Sequence, residues 1–389
     1  MLPSRKRRAM LLGGAGLAMP TFHAASAALA APAAPAATTA SVAPAVPAEG
    51  VRPRPLVFPA DFGAHPDTRT EWWYITGVLD DPDAPAGGAT FGFQVTFFRS
   101  RTNVPADHPS RFAATQLQFA HVALTDVRAR TMRHDQRIAR AGFGRASAAT
   151  GDTRLALGNW QLQREGNVSA SRYRAQVTSE SGGFGFDFTL AATQPVLLQG
   201  EAGYSRKGPR PEQASHYYSV PHLAVSGQLR QEGKLRRIQG QAWLDHEWSN
   251  ALLDTEAVGW DWIGMNLDDG SALTAFRLRR ADGTAVYAGG SFRPRGGAVV
   301  AFAPDAVRFV AGRTWRSPAS NAVYPVVWTV ETPAGRFEVE SVLDNQELDS
   351  RSSTGAIYWE GLSELRLPSG ERVGRGYLEM TGYAGALRL

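Results

Sequence analysis

The sequence predicts an all-β protein built from many short antiparallel strands. Three observations lead there: apolar residues alternate with period two along most of the chain, turn dipeptides separate the alternating runs, and 40 Gly and 24 Pro accompany no convincing amphipathic helix. Strands of this kind, spread over more than 300 of the 389 residues, imply barrels or sandwiches rather than an α/β enzyme fold.

The first 55 residues stand apart from that pattern. Arg5, Lys6, Arg7 and Arg8 precede an apolar stretch from Met10 to about Met19, followed by Ala-rich sequence with sites such as Ala28-Leu29-Ala30. This order is that of a secretory signal peptide, and the apolar run is too short for a permanent membrane span. Arg7-Arg8-Ala9-Met10-Leu11-Leu12 resembles the twin-arginine export pattern. Residues 1–30 are therefore read as a leader, with a periplasmic or secreted destination. Residues 31–55 are an Ala/Pro tract that favours extended linker conformations, and folded sequence is expected from Leu56.

From there the strands follow in turn. In FGFQVTFF the residues Phe91, Phe93, Val95 and Phe97 share one face. In FGFDFTL, Phe184, Phe186, Phe188 and Leu190 oppose Gly185, Asp187 and Thr189. Similar runs occupy 71–79, 116–124, 236–248, 258–267, 272–279, 324–331, 337–343 and 374–383. Asp80-Asp81-Pro82, Asp269-Gly270, Asp282-Gly283 and Ser369-Gly370 supply turns between strands.

Composition narrows the function. With 43% hydrophobic and 20% charged residues the chain can bury a real core, and its ten Trp make that core aromatic. The formal charge of +5 comes largely from the leader, because beyond residue 30 there remain 37 basic and 36 acidic residues. A near-neutral mature chain gives no electrostatic reason to bind nucleic acid. There is no cysteine, hence no disulfide and no thiol chemistry. No later segment is long and apolar enough to act as a stable helical membrane anchor. No G-x-S-x-G elbow and no phosphate-binding glycine loop occur.

Four segments combine Trp with a carboxylate: Glu71-Trp72-Trp73-Tyr74, Trp243-Leu-Asp-His-Glu-Trp248, Gly259-Trp-Asp-Trp-Ile-Gly264 and Tyr358-Trp359-Glu360-Gly361. Alternation puts Leu244, His246 and Trp248 on one face of their strand, with Trp243, Asp245 and Glu247 on the other. It likewise puts Asp261 with Ile263 and Met265, and turns Trp260 and Trp262 the opposite way. A carboxylate on an apolar face is costly to ionise, so Asp261 is expected to keep its proton and act as a donor. The bland alternative is a structural His–Asp bond between strands. His246-Glu247 lacks the second His of a zinc-protease motif, and no metal is expected; His121 is the histidine that could join His246 in space.

Longer motifs carry a resemblance. HPDTRTEWWYITGVL (65–79), QLQFAHVAL (116–124), SHYYSVPHL (215–223), AWLDHEWSN (242–250), GWDWIGMNLDDGSALTAFRLR (259–279), YWEGL (358–362) and GRGYLEMTGY (374–383) resemble the exported AttH-like proteins, which belong with the carotenoid 1,2-hydratases. The resemblance implies two lipocalin-like β-barrels, read as domains 56–245 and 246–389, and no cofactor. It implies acid-catalysed addition of water to a C=C bond of an apolar isoprenoid or lipid. His246 and Trp248 are carried over by matching motif, and Asp261 joins them as proton donor from the strand-face argument. Trp260, Trp262, Glu71, Trp73, Asp245 and Glu247 are expected to shape the substrate pocket. Two other functions fit the same residues, a non-catalytic carrier of an apolar ligand and a secreted hydrolase of unconventional mechanism.

Overall fold

The computed structural model describes residues 50–83, 91–251 and 253–387, so the leader and residues 31–49 of the Ala/Pro tract lie outside the described residues. Each extended run expected from alternation contains a strand, and nearly all the strands fall in two large antiparallel sheets, with Thr314–Arg316 and Val323–Pro325 forming a small third one. The first sheet spans residues 70–251 and curls into a nearly closed barrel. One end strand, Thr131–Arg140, approaches the strands Trp160–Glu165 and Arg172–Ser179 near the other end, where Arg137 lies 4.1 Å over the Trp160 ring and Ser179 Oγ donates to Asp135 at 2.7 Å. The second sheet spans residues 259–380 and encloses its own core around Ile263, Trp328 and Trp359. The fold is two lipocalin-like β-barrels.

Two boundaries differ from expectation. The strand Lys234–Ala251 runs unbroken through the division expected at 245/246, and the second barrel opens with the strand Gly259–Leu267. The division therefore falls between Ala251 and Gly259, because alternation marks a strand's faces but not the end of a barrel. Packed sequence also begins before Leu56: Val51 is buried against Tyr204 and Ala214, and Arg54 pairs with Asp61 at 2.7 Å.

Strand alternation divides the aromatic residues between two environments. On Thr70–Asp80, the side chains Glu71, Trp73, Ile75 and Leu79 point into the first barrel. Their neighbours Trp72, Tyr74 and Val78 point outward, where they meet Trp262, Phe276, Leu362 and Tyr377 of the second barrel in a shared apolar cluster. The outer face of the first barrel is thus an inner face of the whole molecule. Close approach is enforced at Gly92, where a Cβ would lie 2.6 Å from the Tyr377 hydroxyl and 3.1 Å from Leu362.

Candidate active site between the barrels

A cavity of about 300 Å³ opens between the two barrels. From the first barrel it receives Trp72, Tyr74, Gln94, Phe98, Phe119, His121, Tyr217, Asp245 and Glu247. From the second it receives Trp260, Trp262, Phe276, Tyr358, Glu360 and Glu379. Its walls are largely aromatic, with a few convergent polar groups, which is the usual make-up of a small-molecule site.

The acids are the unusual part. Glu360 and Glu379 are register partners on the adjacent strands Ala356–Arg366 and Arg372–Met380. Two carboxylates directly opposite each other repel, and both cannot ionise in a site shielded from water. Burial, with the neighbouring Glu379 charge, raises the Glu360 carboxyl well above its ordinary range. Burial pushes Glu379 up to about 8, assisted by Asp245 and Glu247 and opposed by a hydrogen bond with Trp260. The pair therefore holds a proton at neutral pH. Gln94 Nε2 donates to Glu360 Oε2 at 2.8 Å.

A polar relay leaves the pair on one side. Gln94 Nε2 also lies 3.2 Å from the Tyr358 hydroxyl, which bonds His121 Nδ1 at 2.8 Å, and His121 Nε2 bonds Ser353 Oγ at 2.8 Å. Burial lowers His121 to about 3, so its imidazole is neutral there. On the other side Asp245 accepts from Tyr217 at 2.7 Å, Ser219 at 2.6 Å and Trp243 at 2.7 Å. Burial outweighs those three bonds and raises Asp245 to about 7. Lys207 Nζ pairs with Glu247 at 3.0 Å and sits 4.5 Å over the Tyr217 ring.

The residues chosen from sequence separate into two groups. Trp260, Trp262, Asp245 and Glu247 line the cavity, and Trp262 Nε1 donates to Tyr217 at 3.2 Å. His246, Trp248 and Trp73 face the interior of the first barrel instead. His246 Nε2 meets Glu71 Oε1 at 2.9 Å and its Nδ1 meets the Tyr218 hydroxyl at 3.0 Å. Trp73 stacks on His246 at 4.4 Å, and Trp248 stacks on His65 at 3.8 Å. Burial lowers His246 to about 4 against the pull of the Glu71 carboxylate. Glu71 also borders the cavity, but its carboxylate turns inward onto His246, His65 and Arg99. Although burial opposes it, the bonds from His246 and His65 hold Glu71 well below the usual carboxylate range.

Asp261 is a correction. It does lie on the apolar face, fully buried in the second barrel. It is not unpaired, however: Arg277 Nε lies at 2.7 Å, Arg279 Nε at 3.5 Å, and Tyr383 donates at 2.8 Å. The acid expected to stand without a partner on an apolar face is thus held by two guanidiniums and a tyrosine hydroxyl, and it lies away from the cavity. Neither does His121 meet His246, because the two occupy opposite faces of the first sheet. Among the described residues one group, His65, Glu71 and His246, has the composition of a metal site. Its donors bond one another, and Arg99 Nε occupies the second Glu71 oxygen at 2.7 Å.

A comparison of the sequence with curated proteins gives no significant match. The crystal structure assigned to AttH from Nitrosomonas europaea is 47% identical, with a TM-score of 0.77, covering 86% of this chain and 98% of that one. Kievitone hydratase from Nectria haematococca is 16% identical with a TM-score of 0.63, covering 85% and 93% of the two chains, and shares the fold. CghA bound to Sch210972 is 14% identical with a TM-score of 0.50, covering 81% and 88%. The AttH-like family pattern matches residues 49–383, most of the chain, and the protein belongs to that family.

Proposed function

We propose that the protein is an exported, cofactor-free hydro-lyase that adds water across a C=C bond of an apolar isoprenoid or lipid in the cavity between the barrels. The observation that carries this reading is the opposed Glu360–Glu379 pair in an aromatic cavity. A carboxyl that keeps its proton at neutral pH can protonate an alkene carbon, leaving a tertiary cation. The faces of Trp72, Trp260 and Trp262 suit such a cation, which water then captures. After giving up its proton the pair bears a charge in a confined site that disfavours it, and this draws the proton back from the captured water. No net proton is consumed. The fold also houses a hydratase, as the kinship with kievitone hydratase illustrates. Export rests on the leader sequence, through Arg7-Arg8 and the apolar stretch behind it.

The test is to incubate the purified protein with host isoprenoids and lipids and follow products by mass spectrometry. A product heavier by one water, lost in Glu360→Gln and in Glu379→Gln, is the expected result. An apolar compound that binds and returns unchanged identifies a carrier and overturns the catalytic reading.

A further inference from the structure

Phe112 and Phe143 stand on the surface of the first barrel, 64% and 48% exposed. Their rings nevertheless stack, with centroids 5.5 Å apart and planes 6° from parallel. Arg140 lies over both rings, at 5.1 and 4.3 Å, and Arg111 lies 5.5 Å over Phe143. Phe143 adopts φ 57° between Gly142 at 99° and Gly144 at 66°. Left-handed backbone is unfavourable for a residue with a Cβ, and an exposed turn gains nothing in folding from a phenylalanine there.

The aromatic pair is continuous with the cavity. Arg140 and Ile138 share a face of the strand Thr131–Arg140, and Ile138 is both 45% exposed and part of the cavity wall. Its register partner Phe119 stacks on Phe98 at 4.8 Å, and both rings line the cavity. An apolar track thus runs from the exposed rings towards the acids. The surrounding segments are cationic: residues 101–116 and 140–146 carry Arg101, Arg111, Arg140 and Arg145 against one acid, Asp107.

We propose that this rim docks on an anionic phospholipid bilayer, with Phe112 and Phe143 among the acyl chains and the arginines on headgroup phosphates. The track past Ile138 then leads an apolar ligand between the bilayer and the cavity. Charge selects this occupant, since anionic lipid attracts arginines placed beside inserted aromatic rings. A second copy fits poorly, because a two-fold contact would set Arg111 and Arg140 against their own counterparts. The route to the cavity rests on the proposed function, but the docking itself is measured without turnover.

The experiment is co-sedimentation of the full chain with vesicles of phosphatidylcholine containing phosphatidylglycerol, and with phosphatidylcholine alone. Binding to the anionic vesicles that weakens at high salt is expected. F112S/F143S lowers it by about tenfold or more, the loss of two inserted rings. R111Q lowers it about fivefold, on anionic vesicles only. F143G relieves the left-handed backbone, so it keeps the native melting temperature and still weakens binding, which separates docking from folding. No binding by the native protein, or binding by F143G and F112S/F143S as strong as the native protein's, overturns the proposal. So does concentration-dependent self-association abolished by F112S/F143S, which assigns the rim to a second copy. Turnover of dissolved substrate without vesicle binding removes the docking proposal and leaves the proposed function standing.

Discussion

Replacing Glu379 by Gln removes one carboxyl of the opposed pair while preserving its size. In the native protein this carboxyl has a raised folded pKa, so its contribution to stability is complete below the unfolded value and is lost as pH rises through the folded one. The window runs from the ordinary 4.5 to about 8. At roughly 1.4 kcal/mol per unit the full span is worth roughly 5 kcal/mol. Cavity water relaxes around this partly buried group, and we take roughly 2 kcal/mol as the realised cost of forcing the Glu379 charge into the site. Glu379→Gln escapes that cost, and it also relieves the Glu360 carboxyl of its largest electrostatic opponent. At roughly 2–4 °C per kcal/mol the variant should melt roughly 4–8 °C above the native protein near pH 8.5. Near pH 5, where the native pair is already protonated, the two should melt together. Thermal unfolding by circular dichroism at both pH values makes the comparison. A difference of equal size at both, or a variant less stable at high pH, would refute the shared proton.

The remaining predictions concern residues on either side of the cavity wall. Asp261→Asn strips Arg277 and Arg279 of their carboxylate inside the second barrel, and urea unfolding should show a loss of about 3–5 kcal/mol. His246→Phe leaves the buried Glu71 Oε1 and the Tyr218 hydroxyl without their imidazole partner, and the same assay should show a loss of about 2–3 kcal/mol. Gly264→Ala places a methyl 2.3 Å from the Trp262 ring, so it should displace that indole and weaken ligand binding, read by quenching of Trp fluorescence. Glu360→Gln should cut turnover by about a hundredfold or more, with ligand affinity changed far less.

Much of the fold was legible because alternation is a direct record of which side chains face a core. The faces read for His246 against Asp245, and for Asp261 against Trp262, are those in the structure. What misled was the assumption that the apolar face of a barrel strand is where ligand chemistry sits. Here that face is filled by packed side chains, and the face bearing Asp245, Glu247 and Tyr74 is covered by another barrel that no local pattern announces. Burial of Asp261 was likewise read without Arg277 and Arg279, whose proximity depends on strand pairing. The central acids did leave a signal. Glu360 lies nine residues before Ser369 and Glu379 nine after Gly370, so a hairpin centred on that turn sets them face to face. Lys207 and Gln94 left none, since their roles arise only from contacts across the chain.

The most direct measurement is an infrared titration of the carboxyl groups in the native protein and in a Glu360→Gln/Glu379→Gln double variant. A protonated-carboxyl C=O band that persists at pH 7 and loses intensity in the variant is the predicted result. A native spectrum without that band at pH 7, or one the double substitution leaves unchanged, would contradict a cavity acid that holds its proton for the alkene.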